Sequence, residues 1–409
     1  MAIQLQDYQE EAGPGVIEEL RALAGRVASR RMQHINSTPV GGGVAEILTR
    51  LVPLMRELGL EASWDVIKGD QAFFNVTKAF HNALHGKPEE ITEKMLEIFR
   101  ANTEANLRDI NFTGDVVFVH DPQPAGLILR KKEIGRRWVW RCHIDVSAPQ
   151  PDVWGFLRPY VEQYDAAIFS MPDFAQRLPV VQYRVAPSID PLSDKNKPLQ
   201  RSYVTGVLEK YHIDPNRPVL TQVSRFDRFK DPLGVIAAYR MVKKRYKCQL
   251  VLAGGGAPDD PEGEEVLREV QEAAAGDPDI HVLLLPPFSD LEINALVRAS
   301  TIVLQKSVRE GFGLTVSEAL WKKKPVIGGA VGGIKLQIID GVTGFLVHSP
   351  EGAANRIAQL LADRRLRERL GDNGYQHVRQ NFLLTRHVKD YLLIMLALDH
   401  PRESIVHLD

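Results

Sequence analysis

Arg309-Glu310-Gly311-Phe312-Gly313-Leu314-Thr315-Val316-Ser317-Glu318 decides how this chain folds and what it can hold. An apolar stretch with strand character, Thr301-Ile302-Val303-Leu304-Gln305, precedes it, and Thr315 to Lys322 has a helical pattern. Strand, glycine turn and helix in that order form a phosphate-binding device. The first N–H groups of a helix have no intrahelical partner and carry positive partial charge. Gly311 and Gly313 let the backbone from Gly311 through Phe312 and Gly313 to Leu314 approach an anion closely. Glu318, about one turn into the helix, can accept hydrogen bonds from sugar hydroxyls beside the phosphates. Glu310, before the turn, can reach a second sugar on the far side. Carboxylates at both ends of a run of amides suit a sugar–pyrophosphate–ribose ligand.

Outward from this segment, strands alternate with amphipathic helices, which predicts an α/β fold with parallel sheets built from βαβ units. Candidate strands in the first half are Met32 to Asn36, Asp115 to Val119, Trp138 to Cys142 and Ala166 to Phe169. Helical patterns separate them at Val44 to Leu58, Ile91 to Leu107 and Val153 to Tyr164. Three prolines among polar residues between Pro187 and Pro198 break the pattern and read as a linker. A second series of strands runs through Val219 to Val223, Gln249 to Ala253, His281 to Leu285, Thr301 to Gln305 and Pro325 to Ile327. Three helices close the chain, the last from Leu384 to Leu398. Two Rossmann-like, doubly wound domains are therefore expected: residues 1–190, a linker at 191–205, and residues 206–383. The helix at about 384–400 is expected to pack back on the first domain. Open parallel sheets bind ligands beyond the carboxyl ends of their strands, so two facing sheets would form an interdomain cleft.

Composition narrows the function classes. The 409 residues carry a formal net charge of −1, which gives no bulk attraction toward nucleic acid or anionic membrane. The two cysteines, Cys142 and Cys248, make neither a disulfide framework nor a metal-ligand spacing, in keeping with a cytoplasmic protein. Met1 to Gly15 is acidic and lacks an apolar signal core, so no secretory leader is expected. Leu392 to Leu398 is too short to span a bilayer.

Each further candidate follows a predicted strand. Gly41-Gly42-Gly43 opens the first long helix, either as a ligand-binding turn or as a plain one; it lacks the spacing of the dinucleotide fingerprint. Arg225 and Lys230 leave the first strand of the second half in Ser224-Arg225-Phe226-Asp227-Arg228-Phe229-Lys230. Such cations bind phosphate oxygens and stabilise a departing negative charge; a solvated loop is the bland alternative. His120-Asp121 and His143-Ile144-Asp145 end two strands of the first half. Asp121 and His143 suit a sugar hydroxyl or proton exchange, and no third ligand accompanies them, so no metal is expected. Asp145 reads as a loop cap. Asp70 to Asn82 mixes aromatics with amides: Phe73, Phe74 and Phe80 suit the core, while Asn75, Lys78 and Asn82 suit sugar contacts. Ala330-Val331-Gly332-Gly333-Ile334-Lys335 is another tight turn, suited to amide contact with a sugar hydroxyl or phosphate, as at Gly333; a plain connecting turn is the alternative.

This constellation resembles the retaining nucleotide-sugar glycosyltransferases of family GT4, over nearly the whole chain. Its specific signals are Glu310 and Glu318 eight apart, the pair Arg225 and Lys230, His143, and the glycine turn at Gly41. Within that family, five stretches of the first half resemble the glycosyl-transferring trehalose synthases: His34 to Thr38, Gly41 to Leu48, Phe73 to Lys78, Val119 to Pro124 and Trp140 to Asp145. The resemblance implies the GT-B fold. It implies that Arg225 and Lys230 hold the diphosphate and Glu318 the ribose. Glu310, with backbone from Gly311 to Gly313, would hold the donor glucose, and Gly42, Gly43, Leu314 and Gly333 would line the donor. His143 would contact the donor sugar near its 6-hydroxyl. Asp121, Asn75 and Lys78 are the candidates for the acceptor. One departure is Asp231, which follows Lys230 where many members carry glycine.

The implied reaction joins the glucosyl group of a nucleotide diphosphate glucose, a UDP- or ADP-linked sugar for example, to free glucose. The product would be α,α-trehalose with the donor configuration retained. No metal and no cofactor is implied, and a homodimer is the working expectation. The rivals are a trehalose phosphorylase, a related transferase with another acceptor, and a catalytically idle sugar-nucleotide sensor.

Overall fold

The computed structural model describes residues 4–40, 43–255 and 261–401. Contacts divide the chain into two compact units, Met1–Ser188 with Leu384–Asp409, and Ile189–Leu383.

The first unit is built on strands β1 (Arg31–Asn36), β2 (Glu61–Val66), β3 (Val116–His120), β4 (Arg137–Arg141), β5 (Ala166–Phe169) and β6 (Val181–Arg184). They form one parallel sheet in the order β2-β1-β3-β4-β5-β6. Strand β3 is buried at every position and unbroken in its apolar run but for His120, as expected where helices cover both faces. The helix Gly43–Glu57 buries Ala45, Leu48, Leu51, Val52 and Met55, spacings that line one helical face. The closing helix Leu384–Asp399 buries Val388, Tyr391, Leu392 and Met395. Ion pairs Lys389–Glu19 (2.5 Å) and Arg30–Asp399 (2.7 Å) tie it to this unit.

The second unit carries β7 (Val219–Val223), β8 (Gln249–Gly255), β9 (Ile280–Leu285), β10 (Ile302–Gln305), β11 (Val326–Gly329) and β12 (Gly344–Val347). Its parallel order is β12-β11-β10-β7-β8-β9. The chain runs outward from β7 through β9, then returns to lay β10 on the other side of β7. That reversal is a topological switch point, where loops diverge and leave a crevice.

Three strands escaped the sequence reading. β2, β6 and β12 lie at sheet edges, and β2 and β6 carry exposed or half-exposed polar residues instead of an apolar run. Residues 191–205, read as a linker, belong to the body of the second unit. Arg201–Lys210 is helical. Arg298 Nη2 donates to the carbonyls of Asn196 and Lys197, both at 2.9 Å, so this proline-rich turn is fastened down. Among the described residues no helix is long and apolar enough to cross a membrane.

Candidate functional site

The switch point of the second sheet brings together residues eighty positions apart. Lys230 Nζ donates to Glu310 Oε2 at 2.6 Å, and both side chains are largely buried. Ser307 Oγ (3.1 Å) and Gln305 Nε2 (3.3 Å) donate to the same oxygen. Three donors on one oxygen fix the Glu310 carboxylate. Val308 N donates to Phe229 O at 2.8 Å, and Thr315 Oγ1 donates to Val223 O at 3.3 Å. These contacts clamp the loop after β7 onto the loop after β10. Arg225 stands at the edge of this loop. Its guanidinium is more than half exposed and meets Asp227 at 3.6 Å, beyond good hydrogen-bond distance, so it can turn toward a ligand.

Asp231 accounts for its own departure from glycine. It adopts the left-handed region, φ +50°, which Asp tolerates better than most residues. Its carboxylate caps the helix Pro232–Lys243 by accepting from Gly234 N at 3.0 Å, and it also pairs with Lys306. Lys306 and Asp231 were not legible as partners, because nothing local connects them.

Gly313 sits at φ +80° and starts the helix Leu314–Trp321. Val316 N turns back to Gly313 O at 2.9 Å, and Ser317 N donates to Gln337 Oε1 at 2.8 Å. The amides of Leu314 and Thr315 are left without a partner among the described residues. Gln337, which the sequence did not single out, bridges the two glycine turns. It also donates from Nε2 to Phe312 O at 2.6 Å and to Gly333 O at 3.2 Å. Gly333 N donates to Gly311 O at 2.9 Å. The Phe312 ring is buried against Phe382, so Phe312 can serve a ligand through its backbone alone.

Glu318 is buried one turn into that helix. Lys322 lies one turn further on and donates to Glu318 O (2.9 Å) and Asn196 Oδ1 (2.7 Å). Burial pushes the Lys322 ammonium below the usual lysine range, and the nearby Glu318 opposes that shift.

The first unit collects the remaining candidates. Gly42 lies outside the described residues; Gly43 is the first residue of the helix Gly43–Glu57. Asp121, at φ +67°, directly follows β3, and its Oδ1 accepts from His143 N at 2.7 Å. Asp121 and His143 are thus brought together. His143 also touches His120, which in turn touches His34, so the conspicuous histidines form one chain. Asn75 and Lys78 are exposed on the helix Gln71–Leu84, and no hydrogen bond or ion pair joins them to Asp121 or His143 among the described residues. Asn82 is taken up by Glu89 at 2.8 Å. Phe73 and Phe80 are buried, but Phe74, expected in the core, is 36% exposed. It follows Phe73 directly, about 100° further round the helix, and its ring lies off the face that buries Phe73, Val76 and Phe80. Asp145 Oδ1 accepts from Ser147 N at 2.9 Å, a loop cap. No group of three His, Cys, Asp or Glu side chains able to hold a metal occurs among the described residues.

Burial raises the Asp121 carboxyl to about 6, against the lowering effects of the His143 amide and the Arg141 guanidinium. Between its unfolded value and about 6 the folded chain binds one more proton than the unfolded chain. This group therefore lowers stability as pH rises through that window, with the cost fully present above about 6. Asp121→Asn removes the titration, and Asn also tolerates a positive φ. The stability of Asp121→Asn relative to wild type should rise by on the order of 2 kcal/mol between about pH 4 and pH 7. Urea unfolding of both proteins across that range reads the slope; a flat difference contradicts the buried, proton-hungry carboxyl.

Comparison with known proteins agrees in both halves. Residues 34–176 match the family described as trehalose synthase, N-terminal domain, and residues 207–377 match glycosyl transferases group 1. The chain is 47% identical over 399 residues to the trehalose synthase of Thermococcus litoralis, covering 95% of each. It is 30% identical to the trehalose phosphorylase of Pleurotus pulmonarius, over 91% of this chain and 58% of that one. Among solved structures, sucrose-phosphate synthase from Thermosynechococcus elongatus superposes with a TM-score of 0.72 at 19% identity, covering 91% of this chain and 100% of that one.

Proposed function

This chain belongs to the trehalose synthase family and is a trehalose-forming glycosyltransferase of GT-B fold; from that premise we propose that it transfers glucose from a nucleotide diphosphate glucose to free glucose, giving α,α-trehalose with retention. The observation that carries the reading is the convergence at one switch point of Lys230, Arg225, the oriented Glu310 carboxylate and the unpartnered amides of Leu314 and Thr315. A pyrophosphate group matches two cations and two amides.

In this reading the Leu314 and Thr315 amides and Arg225 bind the diphosphate, while Lys230 divides its hydrogen bonds between Glu310 and a phosphate oxygen. As the glycosidic bond breaks, negative charge grows on the leaving phosphate, and the fixed cations stabilise it without reorganising. Glu318 takes the ribose hydroxyls, Glu310 and Gly333 the glucose hydroxyls, and His143 is assigned to the sugar near its 6-hydroxyl. Asp121 is the acceptor contact nearest His143; Asn75 and Lys78 are its outlying candidates. A double displacement needs a nucleophilic carboxylate beneath the anomeric carbon. Glu310 is ill suited, since three donors already hold one of its oxygens. The resemblance to the retaining family favours front-face attack, with the leaving phosphate oxygen taking the proton of the acceptor hydroxyl. Neutralisation by Arg225 and Lys230 requires neither metal nor cofactor. Cys142 and Cys248 are both free and buried, which supports a cytoplasmic setting.

Purified protein incubated with UDP-, ADP- or other nucleotide-glucose donors and free glucose should form α,α-trehalose without added phosphate. The relative from Pleurotus makes phosphorolysis the second reading. Release of glucose 1-phosphate from trehalose and phosphate, with no synthesis from nucleotide donors, would move the assignment there. Absence of any turnover would favour a sensor.

A further inference from the structure

His34, His120 and His143 form a linear chain in the first unit. His34 Nδ1 lies 3.0 Å from His120 Nε2, and His120 Nδ1 lies 2.9 Å from His143 Nε2. At the inner end, His34 Nε2 is buried without a hydrogen-bond partner among the described residues. At the outer end the His143 ring is half-buried, and its Nδ1 has no partner among the described residues. Burial is the largest influence on all three rings and holds them below the usual imidazole range, His34 at about 3. The Arg141 guanidinium pushes His120 and His143 the same way. Each ring therefore carries one proton at neutral pH.

Proton counting then leaves two arrangements. A contact between two ring nitrogens is a hydrogen bond only with one proton in it. Three neutral rings hold three protons, and two of these occupy the two contacts. If His143 Nε2 supplies the first, His120 must supply the second from its Nε2, and the third proton sits on His34 Nε2. If the bonds run the other way, the third proton sits on His143 Nδ1. No mixed pattern keeps both bonds. The outer nitrogen of His143 is thus set by the inner nitrogen of His34.

The core around His34 selects between them. Arg141 is fully buried nearby; it and His34 both bear on His387. Its Nε and Nη1 groups lack partners among the described residues, and a guanidinium can only donate. A lone pair on His34 Nε2 suits those two donors, directly or through a water, whereas an N–H there would add a third donor to them. We propose that His34 and His120 are positioning residues that lock His143 in its Nδ1–H tautomer, so that it presents a fixed donor to a hydroxyl oxygen of the bound sugar. The sugar contact rests on the reading above; the tautomer lock does not. Such a lock saves the ring from rearranging its proton when the ligand arrives, which is preorganisation.

Selective 15N-histidine labelling and long-range 1H–15N correlation spectra of the unliganded full chain read the tautomers without any turnover. Expected are Nδ1–H forms for His34, His120 and His143. An Nε2–H form of His143 overturns the proposal. His34→Asn, whose amide can donate to His120 as Nδ1 does, should keep His143 locked; His34→Leu should release it. In kinetics His34→Leu should lose about tenfold in kcat/KM, the worth of one oriented hydrogen bond, and His34→Asn much less. With a nucleotide donor lacking the sugar's 6-hydroxyl, His34→Leu should match wild type within about twofold. A locked His143 combined with full activity of His34→Leu would reduce the chain to a structural role and sink the proposal. If no glycosyl transfer is found at all, the spectra still decide the lock, and the functional reading alone fails.

Discussion

Lys230→Ala should lower kcat/KM for trehalose formation by roughly 100-fold, equivalent to about 2.7 kcal/mol of transition-state stabilisation. Two losses combine. In the proposed reading the leaving phosphate forfeits a largely buried cation, and Glu310 forfeits its shortest donor, at 2.6 Å. Ser307 and Gln305 keep the carboxylate roughly in place but leave its charge uncompensated. Glu310 then binds the donor less well, so KM should rise while kcat falls. Lys230→Arg restores charge but not shape and should recover only part of the loss. Arg225→Ala makes the cleaner comparison. Its side chain is more than half exposed and weakly paired. Its removal should leave the unfolding midpoint unchanged and still cost about 2 kcal/mol in kcat/KM. Wild-type kcat/KM in both alanine variants would refute the leaving-group assignment.

Gly332→Ala should destabilise the second unit by about 3 kcal/mol or more. Gly332 sits at φ +45°, and a Cβ there would stand 1.7 Å from the carbonyl oxygen of Glu310. That obstacle is backbone and cannot rotate aside. Relief requires moving Glu310, hence Lys230 and the turn at Gly311. The neighbouring Gly333 is as confined, with Phe312 Cα 2.6 Å from its absent Cβ. Gly341→Ala supplies the control. Its φ is +74°, yet nothing lies within 4 Å of the added Cβ. Only backbone strain remains there, about 1 kcal/mol. Equal losses in the two variants by urea unfolding would show that contact with Glu310 is not what confines Gly332. Donor affinity should also fall at Gly332→Ala, while at Gly341→Ala it should not.

Central strands were readable because a parallel strand covered on both faces is a short apolar run, as in Leu250 to Ala253 and Ala166–Phe169. Edge strands such as Glu61–Val66 lack that run and were missed. The linker reading failed for a related reason. Prolines and polar residues report a turn, but whether a turn is loose or fastened depends on distant groups such as Arg298 and Lys322. In the site, Arg225, Lys230, Glu310 and Gly313 could be named because charges and glycines after strand ends are conspicuous. Gln337 could not, since one glutamine in a short helix looks like any other until its amide is found between two turns.

By itself the sequence determined the α/β alternation, the glycine turns and the identities of the charged residues, because periodicity, turn chemistry and charge are properties of neighbours along the chain. The tertiary structure alone decided that Lys230 grips Glu310 eighty residues away, and that His34, His120 and His143 share one line of hydrogen bonds. The order of strands around each switch point produces those meetings. Strand order follows from how whole helices and sheet faces bury one another, a sum over the fold that no local window contains.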